Sequence, residues 1–381
     1  MATFIALTEA TDIKSQQDTL EQLVDILQND VSSSSTRRKY QSWVTGGLGP
    51  GVTSSLFQTI FDQDFTLQTA NPVFDVTFGL NATSAIVLTG SYLYTDSNTG
   101  KMYFTSQSLQ MREKIDNYRL FAQDLLGDAS ANFTLTSGST SSTINAPMFL
   151  CFKRVFARDR MKRETFAVRM YVTCSMLSGS ATGQKIYTDV GSSTNIQIDT
   201  AGQVSTIVDS SATTIPVGLL YLDKGIAVLD MERVLDNVQS FSGAIHAVNT
   251  SGFQQFNGSL QNFLVSASID DIADHVCSTR FSSSNATAIA FQNQTYINST
   301  IFFCRFRADD CNYSSNPTYT DTDGRIVVID PGQEENQQSF TFMTSIGLYN
   351  AKDELLAVAK LSRPVLKDKQ RDYTLKVRLD F

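Results

Sequence analysis

Two histidines, His246 and His275, are all the imidazole this chain of 381 residues contains, so histidine-based acid–base or zinc chemistry has almost no material. The five cysteines, Cys151, Cys174, Cys277, Cys304 and Cys311, are odd in number, widely spread and never in a CxxC pair. That spacing fits neither a disulfide framework nor a zinc knuckle and predicts buried free thiols acting as small hydrophobes. Asp270, Asp271, Asp274 and His275 invite a metal reading, but carboxylates in the first turn of a helix equally answer its dipole. No second ligand set stands at a fitting spacing, so no metal is expected. The run Gly46-Gly47-Leu48-Gly49-Pro50-Gly51-Val52-Thr53 has the glycines of a phosphate loop without its Gly-Lys-Ser/Thr ending and reads as a turn. Asp321-Thr322-Asp323-Gly324 is a fragment of a calcium loop whose spacing fails. Carboxylate pairs for glycoside hydrolysis reduce to Asp223 with Asp230 and Asp309 with Asp321. No catalytic, cofactor-binding or metal residue is assigned, no cofactor is implied, and the chain is expected to be non-enzymatic.

Binding is the remaining class. With 30 Lys+Arg against 38 Asp+Glu, net charge −8 and a pI near 4.9, the chain lacks the basic excess of a duplex nucleic-acid binder. The densest positive charge is Arg158-Asp159-Arg160-Met161-Lys162-Arg163. It is expected at a hairpin tip between strands at 148–155 and 165–175. There Arg158, Arg160, Lys162 and Arg163 would dock on an acidic neighbour or a nucleic-acid backbone, or simply keep a strand edge from aggregating. The second candidate is Leu20, Leu23, Val24 and Leu27, whose i, i+3, i+4, i+7 spacing predicts an amphipathic helix over 15–30 with Leu20, Leu23 and Leu27 on its stripe. The basic triplet Arg37-Arg38-Lys39 that follows reads as a solvated face.

The elements that would carry these residues are mostly strands. Charged residues make up 18% of the chain, below the roughly 25% of an average globular protein, and Ser, Thr, Asn and Gln supply the polarity. Met111, Ile115, Tyr118, Ala122 and Leu125 mark one strong helix, with Gly127 placed as its C′ residue. Ser268 and Asp271 form a capping-box pattern for another. Asp223-Lys224-Gly225 signals a hairpin, and Leu375, Val377, Leu379 and Phe381 alternate with charged residues as in a half-buried strand. The fold class expected is β-dominated α+β, with antiparallel sheets or sandwich-like domains, an N-terminal helix and a few further helices. The chain divides into an N-terminal helix and arm (1–50), a mixed β/α region (51–130), a β-rich domain (131–265) and a C-terminal β-rich domain (266–381). No run of about 20 apolar residues exists to span a bilayer, and the first residues lack the basic and apolar regions of a signal peptide. A soluble, cytosolic product is expected, with no small-molecule substrate evident.

One stretch carries a resemblance. Ser345-Ile346-Gly347-Leu348-Tyr349 turns through Asn350-Ala351-Lys352-Asp353 into Leu355-Leu356-Ala357-Val358-Ala359-Lys360, and this resembles a recurring module of tailed-bacteriophage tail and baseplate proteins. Residues Cys311 to Tyr319, Ser54 to Gln58 and Leu67 to Pro72 are similar to virion structural proteins of marine contractile-tailed phages. The resemblance implies a virion component of tail or baseplate type, assembled in the host cytoplasm, homo-oligomeric, with other virion proteins as partners. A head or neck protein and a fibre-adaptor or receptor-binding protein are the alternatives within that class. The module has no enzymatic residues to carry over.

Overall fold

The computed structural model describes residues 4–44, 52–84, 93–95, 98, 102–104, 106–138, 140–175, 180–194, 197–235, 263–265, 267–281, 286–314 and 316–381. The chain forms two compact units, Met1–Leu20 with Tyr296–Phe381, and Glu21–Thr295. The first unit is discontinuous in sequence, and the first strand and a late one each contribute to both units. The protein is β-dominated, and its strand pairs are antiparallel.

Strands β1 (Ile13–Leu27), β2 (Arg37–Val44), β3 (Val52–Phe61), β4 (Pro72–Phe78), β5 (Leu93–Thr95), β6 (Met102–Phe104), β7 (Thr134–Ser137), β8 (Thr140–Thr143), β9 (Pro147–Phe152) and β10 (Arg160–Met161) come first. They are followed by β11 (Ala167–Ser175), β12 (Ser180–Thr188), β13 (Gln197–Asp199), β14 (Gly202–Asp209), β15 (Ala212–Tyr221), β16 (Ile226–Asp230), β17 (Thr287–Phe306), β18 (Phe340–Tyr349), β19 (Leu355–Asp368) and β20 (Tyr373–Asp380). In the larger unit the sheet runs β17-β11-β12-β14-β15-β16-β9-β4-β3-β2. Its central strands are apolar at nearly every position, and the pleat divides them. Leu150, Phe152, Leu220, Leu222, Ala227 and Leu229 face one core, while their neighbours Phe149, Leu219, Tyr221, Ile226 and Val228 face another. Successive side chains on a strand point to opposite faces, so continuous apolar runs give a sheet with two dry sides.

Each core has a helical cover. The helix Ser106–Leu125 lays Tyr118, Ala122 and Leu125 on the second core, with the Phe121 ring stacked 4.0 Å from Phe149. Gly127 follows at φ +81°, the left-handed conformation expected of a C′ glycine. The helix Ile269–His275 opens with the full Ser268/Asp271 capping box and puts Ile269, Ile272 and Ala273 on the first core. Hydrogen bonding ties the first helix to the helical turn and short link ahead of the second. Lys114, 1% exposed, donates from Nζ to the carbonyls of Leu264 (2.7 Å), Val265 (2.8 Å) and Ala267 (2.6 Å). Burial pulls this ammonium down to about 7, and the three carbonyls favour its charged form.

Residues 15–30 do not form the expected helix. Through Leu27 they lie in β1, which sits beside β17, and a short helix Gln28–Ser32 follows, with Gln28 N donating to Ala286 O at 2.8 Å. Val24 packs on the core and Ile26 is buried, a two-residue period, whereas Leu20 and Leu23 are 49% and 69% exposed. Leu27 is half-buried at the strand's end. Helical spacing among the leucines is a local signal; pairing with β17 outweighs it, as tertiary context commonly overrides propensity.

Replacing Lys114 with methionine leaves three buried carbonyls without donors, each costing about 1–3 kcal/mol. Chemical denaturation should therefore show Lys114→Met less stable by at least about 3 kcal/mol, whereas exposed Lys224→Met should fall within about 0.5 kcal/mol of the parent.

Candidate docking surface

The smaller unit is built around β17, whose residues 299–306 pair with β20, and a long hairpin of β18 and β19. Ile346, Leu348 and Ala359 of the hairpin pack on Phe302, Cys304, Phe306, Leu375, Val377 and Leu379. That inward face is a small core. A register shift between Met343 and Ser345 lets odd-numbered Thr341 and even-numbered Ile346 both be buried, as the extra residues of a bulge allow. Asn350 organises the turn, its Oδ1 accepting from the amides of Lys352 and Glu354 at 2.9 Å each.

Beyond Lys367, 0% exposed, the hairpin leaves the core and meets the loop 307–339. Lys367 Nζ donates to Ala308 O (2.9 Å), Asn312 Oδ1 (3.0 Å) and Asp368 O (2.8 Å). Thr341 Oγ1 donates to Cys311 O at 2.5 Å, and Tyr319 Oη to Asn312 O at 2.9 Å. An irregular loop is thus nailed to the strand ladder by polar contacts rather than apolar burial.

The hairpin's other face is apolar and open. Leu355 and Tyr349 are exposed, Leu356 is 68% and Val358 55% exposed. At the hairpin's turn end, beside Phe4, whose ring meets Tyr349 edge-on at 5.0 Å, a cleft of about 720 Å³ opens against the small core, lined by Leu7, Phe302, Phe306, Ile346 and Leu356 among others. A Cβ on Gly347 would stand 2.8 Å from the Tyr349 ring, so glycine there is what lets that ring cross the strand. The sequence marks this surface faintly. Leu355-Leu356-Ala357-Val358-Ala359 is an unbroken apolar run, whereas β20 alternates. The run's excess over the period of two is its outward face.

The sequence candidates are placed elsewhere. Arg158 to Arg163 is not a hairpin tip: β9 ends at Phe152, a helical turn Arg154–Ala157 follows, and β10 pairs with β17. Arg160 reaches Asp223 (3.5 Å) and Gln203, Lys162 pairs with Glu21 at 2.5 Å, and Arg163 donates to Ser192 O at 2.9 Å and Gln203 Oε1 at 3.0 Å. These three are internal braces, and Arg158 alone is fully exposed. Alternating charge could not reveal partners supplied by distant strands. Asp274 is spent on Arg37 (3.1 Å), Lys39 (2.5 Å) and Gln58 (3.0 Å). Burial, with Arg280 beside it, pulls the His275 imidazole down to about 3, which keeps it neutral. Cys151, Cys277, Cys304 and Cys311 are free thiols, with burial pushing Cys151 up to about 12 and Cys277 to about 11. His246, the run 46–51 and the Cys174 side chain lie outside the described residues.

Three of the four carboxylates in these pairs accept from backbone amides. Asp223 accepts from Gln203 N at 2.8 Å in the turn before β16. Asp230, at the far end of that strand, caps the helical turn Met231–Val234 through Glu232 N (3.1 Å) and meets Arg233 at 3.3 Å. Asp321 accepts from Asp323 N at 2.6 Å, and Asp309 is exposed in the same loop. The chain matches no family model, no curated protein and no solved structure.

Burial raises the Asp230 carboxyl to about 7. A folded pKa above the unfolded value means the native state holds the extra proton, so this contribution is fully present below about pH 4 and is lost as pH rises through 7. Denaturant titrations across that window should show Asp230→Asn, which keeps the cap, with a shallower fall in stability than the parent.

Proposed function

We propose that this chain is a non-enzymatic structural component of a tailed-phage virion, of tail or baseplate type, that works by protein–protein docking. The observation that carries the reading is the β18–β19 hairpin. The stretch that resembles the phage tail module, 345–360, is the one that holds Tyr349, Leu355, Leu356 and Val358 out from its own core. A two-stranded ribbon with apolar residues on both faces is not a finished structure by itself. One face is used in the small core, and the other is suited to a second protein. Aromatic and aliphatic anchors around a concave site, with polar residues at the rim, are the composition of a docking surface.

Docking would remove these side chains from water. Each fully buried leucine or valine contributes about 1.5–3 kcal/mol, roughly ten- to hundredfold in affinity. Quantitative mass spectrometry of density-purified particles should find the chain at a fixed copy number below that of the major shell protein. Leu356→Asp with Val358→Asp should keep the parent's melting behaviour, because both side chains are already in solvent, and should drop out of the particles. Absence of the parent chain from particles, or normal incorporation of the double variant, would contradict the proposal.

A further inference from the structure

The smaller unit carries unpaired charge of both signs on two different surfaces. The loop 308–339 holds seven acids against Arg325 alone, a net charge of −6, and 355–371 holds, besides the buried Lys367, four bases against Asp368, a net charge of +3. Had these served each other within the unit, ion pairs would join them. Among the described residues the exposed groups find only Arg325 with Glu334 at 3.9 Å and Arg371 with Asp368 at 3.5 Å, each within its own segment. Asp321, Asp323, Asp330 and Glu335 on one side, and Lys360, Arg363 and Lys369 on the other, stand exposed and outside every ion pair of the described residues.

Both surfaces are shaped in advance and both add apolar residues to the charge. In the loop, Thr320 bridges Ile326, and Val327 N donates to Tyr319 O at 2.9 Å, closing a miniature hairpin that carries Asp321 and Asp323 at its turn. The exposed pair Val327-Val328 follows directly. Asp330 and Gln337 clamp the return, with Asp330 N donating to Gln337 Oε1 at 2.7 Å and Gln337 Nε2 to Asp330 Oδ2 at 2.8 Å. On the ribbon, Leu356, Val358 and Lys360 recur every second residue and are exposed together, so two apolar anchors and a cation share one face.

From this complementarity we infer that the occupant of the outer ribbon face is a second copy of this chain, whose acidic loop seats Val327 and Val328 against Leu356 and Val358 while Asp321 and Asp323 meet Lys360 and Arg363. The two surfaces differ, so the contact is heterologous: each copy offers a loop to one neighbour and a ribbon to another, and repetition closes a ring or extends a filament. The inference rests on the docking role proposed above and names the partner.

Sedimentation velocity of the purified full chain tests it. Association should be strong at about 0.01 M salt and weaken at about 1 M, where the screening length falls from roughly 30 Å to roughly 3 Å. Lys360→Glu with Arg363→Glu, and separately Asp321→Lys with Asp323→Lys, should each weaken self-association at least about tenfold while melting like the parent. An equimolar mixture of the two variants should restore it, because every loop then faces a ribbon of opposite sign. A monomeric parent at low salt, association indifferent to both reversals, or variants that mixing does not rescue would overturn the inference. If the chain is nevertheless fixed in particles, the docking role stands with a different partner; self-association by a chain absent from particles would leave this inference standing and the role refuted.

Discussion

The buried ammonium of Lys367 is the interaction on which the smaller unit depends. A charge at 0% exposure is tolerable only when its donors are all used, and here Ala308 O, Asn312 Oδ1 and Asp368 O take them. Those acceptors lie on the loop that leaves β17 and on the ribbon that returns from it. One lysine therefore fixes where a long irregular loop starts and how the ribbon is oriented against it. Lys114 does the same in the larger unit for the segment ahead of Ser268. Both cases use a point charge with three donors to satisfy carbonyls that regular structure leaves over, at a helix end or in a loop.

Polar fixing of this kind leaves apolar residues free for other purposes. The larger unit has two cores separated by one sheet and a smaller cluster of Leu80, Met111 and Val265, while Leu120, Val155 and Ile198 stay exposed on it. The smaller unit buries few and keeps Leu355, Leu356, Val358, Val327 and Phe4 in solvent. In the larger unit the strongest basic segment is braced internally, Arg160, Lys162 and Arg163 being held by Asp223, Glu21 and Gln203.

Much of the fold was legible where local pattern and tertiary fate agree. The helix Ser106–Leu125, the Ser268 capping box, the hairpin at Asp223-Lys224-Gly225 and the alternating last strand all follow from spacing that no distant partner disturbs. The failures share a cause. At 15–30 the leucines had helical spacing, yet the deciding partner was β17, more than 250 residues away in sequence. At 158–163 the charges looked outward because their partners lie on other elements of the sheet. The proposed docking surface is marked in the sequence by an apolar run longer than a half-buried strand requires. Its exposure follows from the register of β18 against β19, which composition does not encode.

Hydrogen-exchange mass spectrometry of the chain, free and in its assembled state, tests the central claim that the smaller unit's ribbon is the interface. Peptides covering β18, the Asn350 turn and β19 should slow on assembly while β9, β15 and β16 keep the protection they already have. Unchanged exchange in the ribbon, with new protection confined to the larger unit, would contradict it.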